Sequence, residues 1–188
     1  MKKFVALFTD SYKELRSVRT ITTAAMFAAI AIILGMFSIE WGNYIRIGFS
    51  SIPNGMAAYL FGPVVGGVFA GVLDVIKYIL KPTGAFFPGL TLVTILAGIL
   101  YGCFYYKKPI TLPRVLIAKF VVMVICNILL NTLCLSILYG KGFMVLLPAR
   151  VIKNLVMWPI DSMIFFGITK SLEQVGALKG IRNFTQIG

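Results

Sequence analysis

Pro148-Ala149-Arg150-Val151-Ile152-Lys153-Asn154-Leu155-Val156-Met157-Trp158 lies inside the last apolar stretch of a 188-residue chain. On both sides the sequence reads as one long hydrophobic helix. Yet Arg150, Lys153 and Asn154 stand at i, i+3 and i+4, which is one face of one helical turn. A charge at membrane depth costs on the order of a few kcal/mol, so residues of this kind are paired or functional. A cationic face in an apolar helix is suited to holding an anionic solute. Two questions follow: whether the chain is a membrane bundle, and what neutralises that face.

Composition settles the first question. The chain is 59% hydrophobic and 13% charged, with a mean hydropathy of +0.93, which is membrane composition. A span needs about 20 residues, so the length accommodates roughly five to seven spans and no separate soluble domain. Residues 1–188 are expected to form a single transmembrane substrate-binding domain, with cytoplasmic segments at 1–19 and 172–188. Met1 to Arg19 is polar and basic and reads as a short amphipathic helix. No small-residue cleavage site follows the apolar run that begins at Ile21, so a cleaved signal peptide is not expected.

Six spans are predicted: Thr20–Ser38, Ile52–Phe61, Val64–Leu80, Leu90–Tyr105, Val115–Leu138 and Phe143–Ser171. The short second span ends at Gly62-Pro63, a natural turn. Ile39 to Ser51 reads as a polar, aromatic loop. The expected fold is all-α, a compact bundle of six transmembrane helices with an outward-facing ligand cavity.

Charge sets the orientation. The formal net charge is +12, from 18 Lys+Arg against 6 Asp+Glu and no His. Lys2, Lys3, Lys13, Arg16, Arg19, Lys107, Lys108, Arg114, Lys170, Lys179 and Arg182 all fall on one side of a six-span layout. Only Arg46, Lys81 and Lys141 fall in the opposite loops. Positive-inside asymmetry then predicts a multi-pass cell-membrane protein with both termini cytoplasmic. It absorbs most of the positive charge without invoking nucleic acid.

In that layout Arg46, Lys77, Arg150 and Lys153 occupy the outer half, against Glu40 and Asp74. The cation surplus favours an anionic ligand over complete internal pairing. Asp74 has two readings: an i, i+3 pair with Lys77, or an acceptor for a ligand's amino and ring N–H groups in the fork geometry carboxylates use with arginine. Asp161, about 12 Å along the helix from Lys153, reads as structural. Asn127 and Asn131 are one turn apart and bridge helices or line a pocket. Lys119, near the inner end, is expected to snorkel. Trp41, Tyr44, Phe49, Phe86 and Phe87 form an interfacial belt or stack on a flat heterocycle. Trp158 either floors a pocket or packs a helix.

Small residues recur. Ala24/Ala28 and Ala25/Ala29 are two AxxxA pairs, suited to close approach within the bundle or by an external helix. Gly62/Gly66, Gly67/Gly71 and Gly98/Gly102 read as internal packing. Cys103, Cys126 and Cys134 are odd in number and contain no CxxC, so neither a disulfide framework nor zinc is expected. Without His there is no Ser/His/Asp set, and there is no GxxxxGK[ST] phosphate loop. The chain reads as a binder rather than an enzyme, with no cofactor or metal and with energy supplied by another protein.

These residues resemble the substrate-binding S-components of energy-coupling factor (ECF) vitamin transporters, over about Arg19 to Ser171. The general marks are the alanine-rich run Ala24 to Ala31, Gly71-Val72-Leu73-Asp74, Phe86-Phe87-Pro88-Gly89-Leu90-Thr91-Leu92 and Leu96-Ala97-Gly98-Ile99-Leu100-Tyr101-Gly102. Arg46-Ile47-Gly48-Phe49-Ser50-Ser51-Ile52-Pro53 and Arg150-Val151-Ile152-Lys153-Asn154 are similar to the folate-specific branch. The resemblance implies six helices, a folate-binding cavity, and partners: a transmembrane coupling protein and two ATPase subunits. It also implies docking through Ala24, Ala25, Ala28 and Ala29, with the register open by one residue, and delivery of the ligand by toppling in the membrane. The candidate ligand residues are Arg46, Phe49, Asp74, Phe87, Arg150, Lys153, Asn154 and Trp158, with the flat pterin expected deepest, near Asp74 and Asn154, Arg150 and Lys153 lining the middle, and the glutamate toward Arg46 and the outer loops. The rival readings are an S-component for another anionic vitamin such as pantothenate, and a stand-alone secondary transporter or channel.

Overall fold

The computed structural model describes residues 2–36, 39–41, 45–47, 51–81, 86–140 and 142–176. The amphipathic segment forms α1 (Lys2–Leu15), and the alanine-rich segment forms α2 (Val18–Met36). Two short strands follow, β1 (Ile39–Trp41) and β2 (Ile45–Ile47), then α3 (Ser51–Leu80) and α4 (Pro88–Tyr105). Next, α5 (Leu112–Val122) runs through a π-helical segment, Met123–Leu130, into α6 (Asn131–Tyr139). The last helix is α7 (Phe143–Gln174).

Among the described residues five helical rods are long and apolar enough to cross a membrane: α2, α3, α4, the α5–π–α6 rod and α7. The two short segments expected on either side of Gly62-Pro63 are the two limbs of α3, so the bundle keeps six helical members with five candidate spans. At Gly62 the backbone takes φ 89 and ψ −172, outside any helix. Beyond it the chain turns back on itself: a methyl on Gly66 would lie 2.9 Å from Cβ of Ala58, eight residues away. In a straight helix those positions would be about 12 Å apart. Only glycine adopts that φ without strain, and Pro63 starts the second limb where its missing N–H costs nothing. The first limb, 51–61, is about 16 Å long, about half the thickness of a hydrocarbon core.

The break leaves backbone groups without helical partners, and α1 supplies them. Ser11, completely buried, donates its hydroxyl proton to the Phe61 carbonyl at 2.7 Å and accepts from the Val64 and Val65 amides at 3.0 and 3.3 Å. Tyr106, just past α4, donates to Oε1 of Glu14 at 3.4 Å, and Lys107 bridges to Asp10 at 2.6 Å. Burial holds the Glu14 carboxyl above the usual carboxylate range, while the Lys107 hydrogen bond and charge hold Asp10 below it. The N-terminal segment is therefore a fastener for one end of the bundle rather than a loose tail.

The glycine pairs assigned to internal packing do pack internally. A side chain at Gly98 or Gly102 would run into the backbone of Gly66 or Pro63, so the second limb of α3 and α4 meet backbone to backbone. Tyr105, Phe61, Phe165, Leu73 and Val115 are among the most deeply buried core side chains.

The structure corrects the sequence reading in two places. The Ile39–Ser51 segment is not a plain loop: β1 and β2 pair antiparallel with Ile39 opposite Ile47, Glu40 opposite Arg46 and Trp41 opposite Ile45. Its β-branched, alternating residues favour that pairing. Lys119 does not snorkel. It is 5% exposed, its Nζ has no hydrogen-bond partner, and it sits 5.4 Å from the centre of the Phe165 ring. The inward side of α5 faces α7, so its stem has no route to the interface.

Candidate functional site

The opening cations are held by α7. Arg150, Lys153 and Asn154 are each half-buried, as expected of a face turned toward the bundle rather than toward lipid. Arg150 donates from Nη1 to the Asn127 carbonyl at 3.4 Å, on the π-helical segment. A π-helical turn widens the backbone and shifts hydrogen bonding to i→i+5, here Asn131 N–H to the Cys126 carbonyl. Such turns cluster where a helix must present backbone groups to a site. The contact uses the Asn127 backbone, so it does not choose between the bridging and lining readings of the Asn127 and Asn131 side chains.

Asp74 lies half-buried on the second limb of α3, and its Oδ2 accepts from the Thr91 hydroxyl on α4 at 2.9 Å. Thr91 was not singled out from the sequence. Its signal was there, one turn into α4 after the Phe86-Phe87-Pro88-Gly89 run. The Lys77 stem runs against α2, since a methyl on Gly35 would lie 3.2 Å from its Cε. The Thr91 hydrogen bond thereby fixes the orientation of Asp74 from α4.

Phe87 caps the start of α4 and packs half-buried against the core beside Gly89 and the Cys134 sulfur of α6. Phe86 is 47% exposed and lies 5.1 Å from the Tyr78 ring. Arg46 lies on β2 opposite Glu40. Phe49 and Tyr44 lie outside the described residues. For Trp158 the packing alternative holds: its indole N–H donates to the Leu116 carbonyl at 3.0 Å, and its ring meets Phe120 edge-on at 5.4 Å. Its one donor is spent on α5, which removes it as a polar partner for a ligand.

Two further residues join this inventory. At the start of α3, Ser51 Oγ and Asn54 Oδ1 are buried without a hydrogen-bond partner among the described residues. Buried polar atoms are almost always paired. They also stand at a helix N-terminus, where backbone N–H groups favour an electronegative partner. The sequence signal was faint, because Ser-Ile-Pro-Asn at the head of an apolar helix reads as ordinary helix initiation.

The alanine pairs are resolved. Ala24 and Ala28 pack against the core, whereas Ala25 and Ala29 are exposed, beside Ile21 at 55%, Met26 at 65% and Ile33 at 57% exposed.

Residues 19–169 match the family described as the ECF transporter substrate-specific component. The chain is 31% identical over 172 residues to the folate transporter FolT of Clostridium novyi, covering 92% of this chain and all of that one. It is 31% identical over 149 residues to FolT of Leuconostoc mesenteroides, covering 76% and 80% of the two chains. Among solved structures it resembles the crystal structure of FolT bound with folic acid, at TM-score 0.76 and 32% identity, over 82% of this chain and 94% of the other.

Proposed function

The chain belongs to the substrate-specific components of ECF transporters, and from that membership we propose that it is the folate-binding subunit of an uptake system. It is a multi-pass membrane protein built to bind rather than to transform. The observation that carries the folate assignment is its likeness, at TM-score 0.76 over 82% of the chain, to a FolT structure holding folic acid. The bonding pattern agrees with it. Folate is a flat pterin and a benzoyl ring ending in two carboxylates. Arg150 and Lys153 are suited to the carboxylates, and aromatic residues such as Phe87 to the rings. Asp74, held by Thr91, and Asn154 are suited to the donor-rich pterin edge. Arg46 and Phe49, on and after β2, would complete the mouth.

The energy comes from elsewhere: a transmembrane coupling protein with two ATPase subunits, on which the loaded subunit reorients. The exposed Ala25/Ala29 pair is the register for that docking, because Ala24 and Ala28 are already used by this chain's own core. The basic ends, α1 and the loop after Tyr106, face the cytoplasm, and the β1–β2 end faces outward.

Titration calorimetry of the purified protein with folate tests the ligand: saturable one-to-one binding is expected, and pantothenate binding with none for folate would overturn it. Ala25→Trp separates binding from docking. Folate affinity stays within about twofold, since the residue touches no part of the core, while uptake with the coupling and ATPase subunits falls at least about tenfold. Ala28→Trp should instead lower the melting temperature.

A further inference from the structure

Deeper than Arg150 and Lys153, α5 and α7 carry two further charged groups that the folate reading does not use: Lys119, over the Phe165 ring, and Asp161, one helical turn before Phe165 on the same helix. Lys119 on α5 is 5% exposed, its Nζ has no hydrogen-bond partner, and it lies over the Phe165 ring. Asp161 on α7 has a buried Oδ1, also without a partner. Asp161 is an electrostatic neighbour of both Lys119 and Lys153. Arg150 and Asp161 are eleven residues apart, which returns to nearly the same helix face about 16 Å further along. Tyr101 and Tyr105 wall the pair from α4: the Tyr105 ring stacks on Phe165 at 5.3 Å, and Tyr101 lies within the field of Asp161.

Charges so placed interact over long distances, because little water intervenes to screen them. Asp161 Oδ1 has no hydrogen bond, so the cations around it carry much of what holds that oxygen. Fields of fixed charges add, so Asp161 lowers the positive potential near Lys153, and Lys119 offsets part of that lowering.

We propose that Asp161 is a counter-ion shared between Lys119 and Lys153, and that this pair sets how many ligand carboxylates the site accepts. The proposal rests on the folate reading for its choice of ligands. In this arrangement Lys119 acts at a distance: it never touches the ligand, but its positive field offsets that of Asp161 at Lys153. Removing Lys119 leaves the Asp161 field without that offset. Removing the Asp161 charge does the reverse.

The test uses three ligands with the same pterin and falling charge: folate with two carboxylates, pteroate with one, and 6-hydroxymethylpterin with none. Affinities are measured for the wild type, Lys119→Met, Asp161→Asn and the double variant in nanodiscs. Lys119→Met should weaken folate about tenfold, pteroate by less, and the neutral pterin not at all. Asp161→Asn should tighten folate severalfold, and the double variant should return close to wild type. Equal fold-changes for all three ligands would mean a merely structural role and would overturn the proposal, as would no change.

Ligand-free melting supplies an independent arm. Coupling between the two residues predicts that the double variant melts above at least one of the single variants. Purely additive melting shifts would overturn the pairing even if binding changed. A wild type that bound none of the three ligands would sink the folate reading, and the melting cycle would still decide whether Lys119 and Asp161 are coupled.

Discussion

The turn at Gly62 and the start of α3 at Ser51 lie at opposite ends of one eleven-residue limb, and they are finished in opposite ways. At Gly62 the broken helix leaves a carbonyl and amides, and Ser11 meets them with three hydrogen bonds. At Ser51 the polar atoms Ser51 Oγ and Asn54 Oδ1 are buried and meet nothing. An unmet buried polar group costs about 1–3 kcal/mol. The terminal end of the bundle is thus built for its own stability. The start of α3 instead carries polar groups with no hydrogen-bond partner among the described residues.

The contrast can be broken most sharply at Gly62. Gly62→Val places a β-branched side chain at φ 89, with its Cβ 2.8 Å from Ser11. Backbone strain and the lost Ser11 contacts together predict a loss of about 3 kcal/mol or more, read as a large fall in melting temperature in detergent. A melt like that of the wild type would mean that the turn is not under the constraint described.

Arg150→Ala should act the other way round. Removing a charged hydrogen-bonding partner of a carboxylate costs about 1.5–3 kcal/mol, or roughly 10–100-fold in folate affinity. The ligand-free melt should hold or rise, because a half-buried cation is lost from an apolar helix. A large melting loss with unchanged affinity would put Arg150 on the structural side of the contrast.

The smallest effect separates two carboxylates of α1. Glu14 titrates above its unfolded value, so the stability it contributes is present at low pH and is lost as pH rises through its folded value. Glu14→Gln should therefore melt higher than wild type at pH 7, with the difference vanishing below about pH 4. Asp10 titrates below its unfolded value, so its contribution appears at neutral pH and fades on acidification. Asp10→Asn should lower the neutral-pH melt and leave the acid melt unchanged. Parallel pH curves for the two variants would contradict the distinct settings of these residues.

Much of this was legible beforehand for physical reasons. Apolar runs of about 20 residues declare spans, and Gly62-Pro63 declares a turn whatever surrounds it. The same holds for Arg150, Lys153 and Asn154, whose spacing fixes a common face. Readings that depended on a neighbour distant in the chain fared less evenly. Trp158 had two readings until Leu116 and Phe120 were placed beside it. Thr91 was invisible as a functional residue because its partner, Asp74, is on another helix. Lys119 was misread because proximity to a helix end says nothing about which way the side chain points. Strands β1 and β2 were missed because a three-residue strand is shorter than any periodicity can reveal.

The sequence by itself determined that this is a membrane bundle of six helical limbs with a cationic face on the last helix, because hydropathy, spacing and charge asymmetry act along the chain. Only the tertiary structure decided that Ala25/Ala29 face outward, that Ser11 closes the Gly62 turn, and that Lys119 is buried over the Phe165 ring. Those outcomes depend on how each helix is rotated about its axis, and rotation is set by the surfaces of the other helices it packs against.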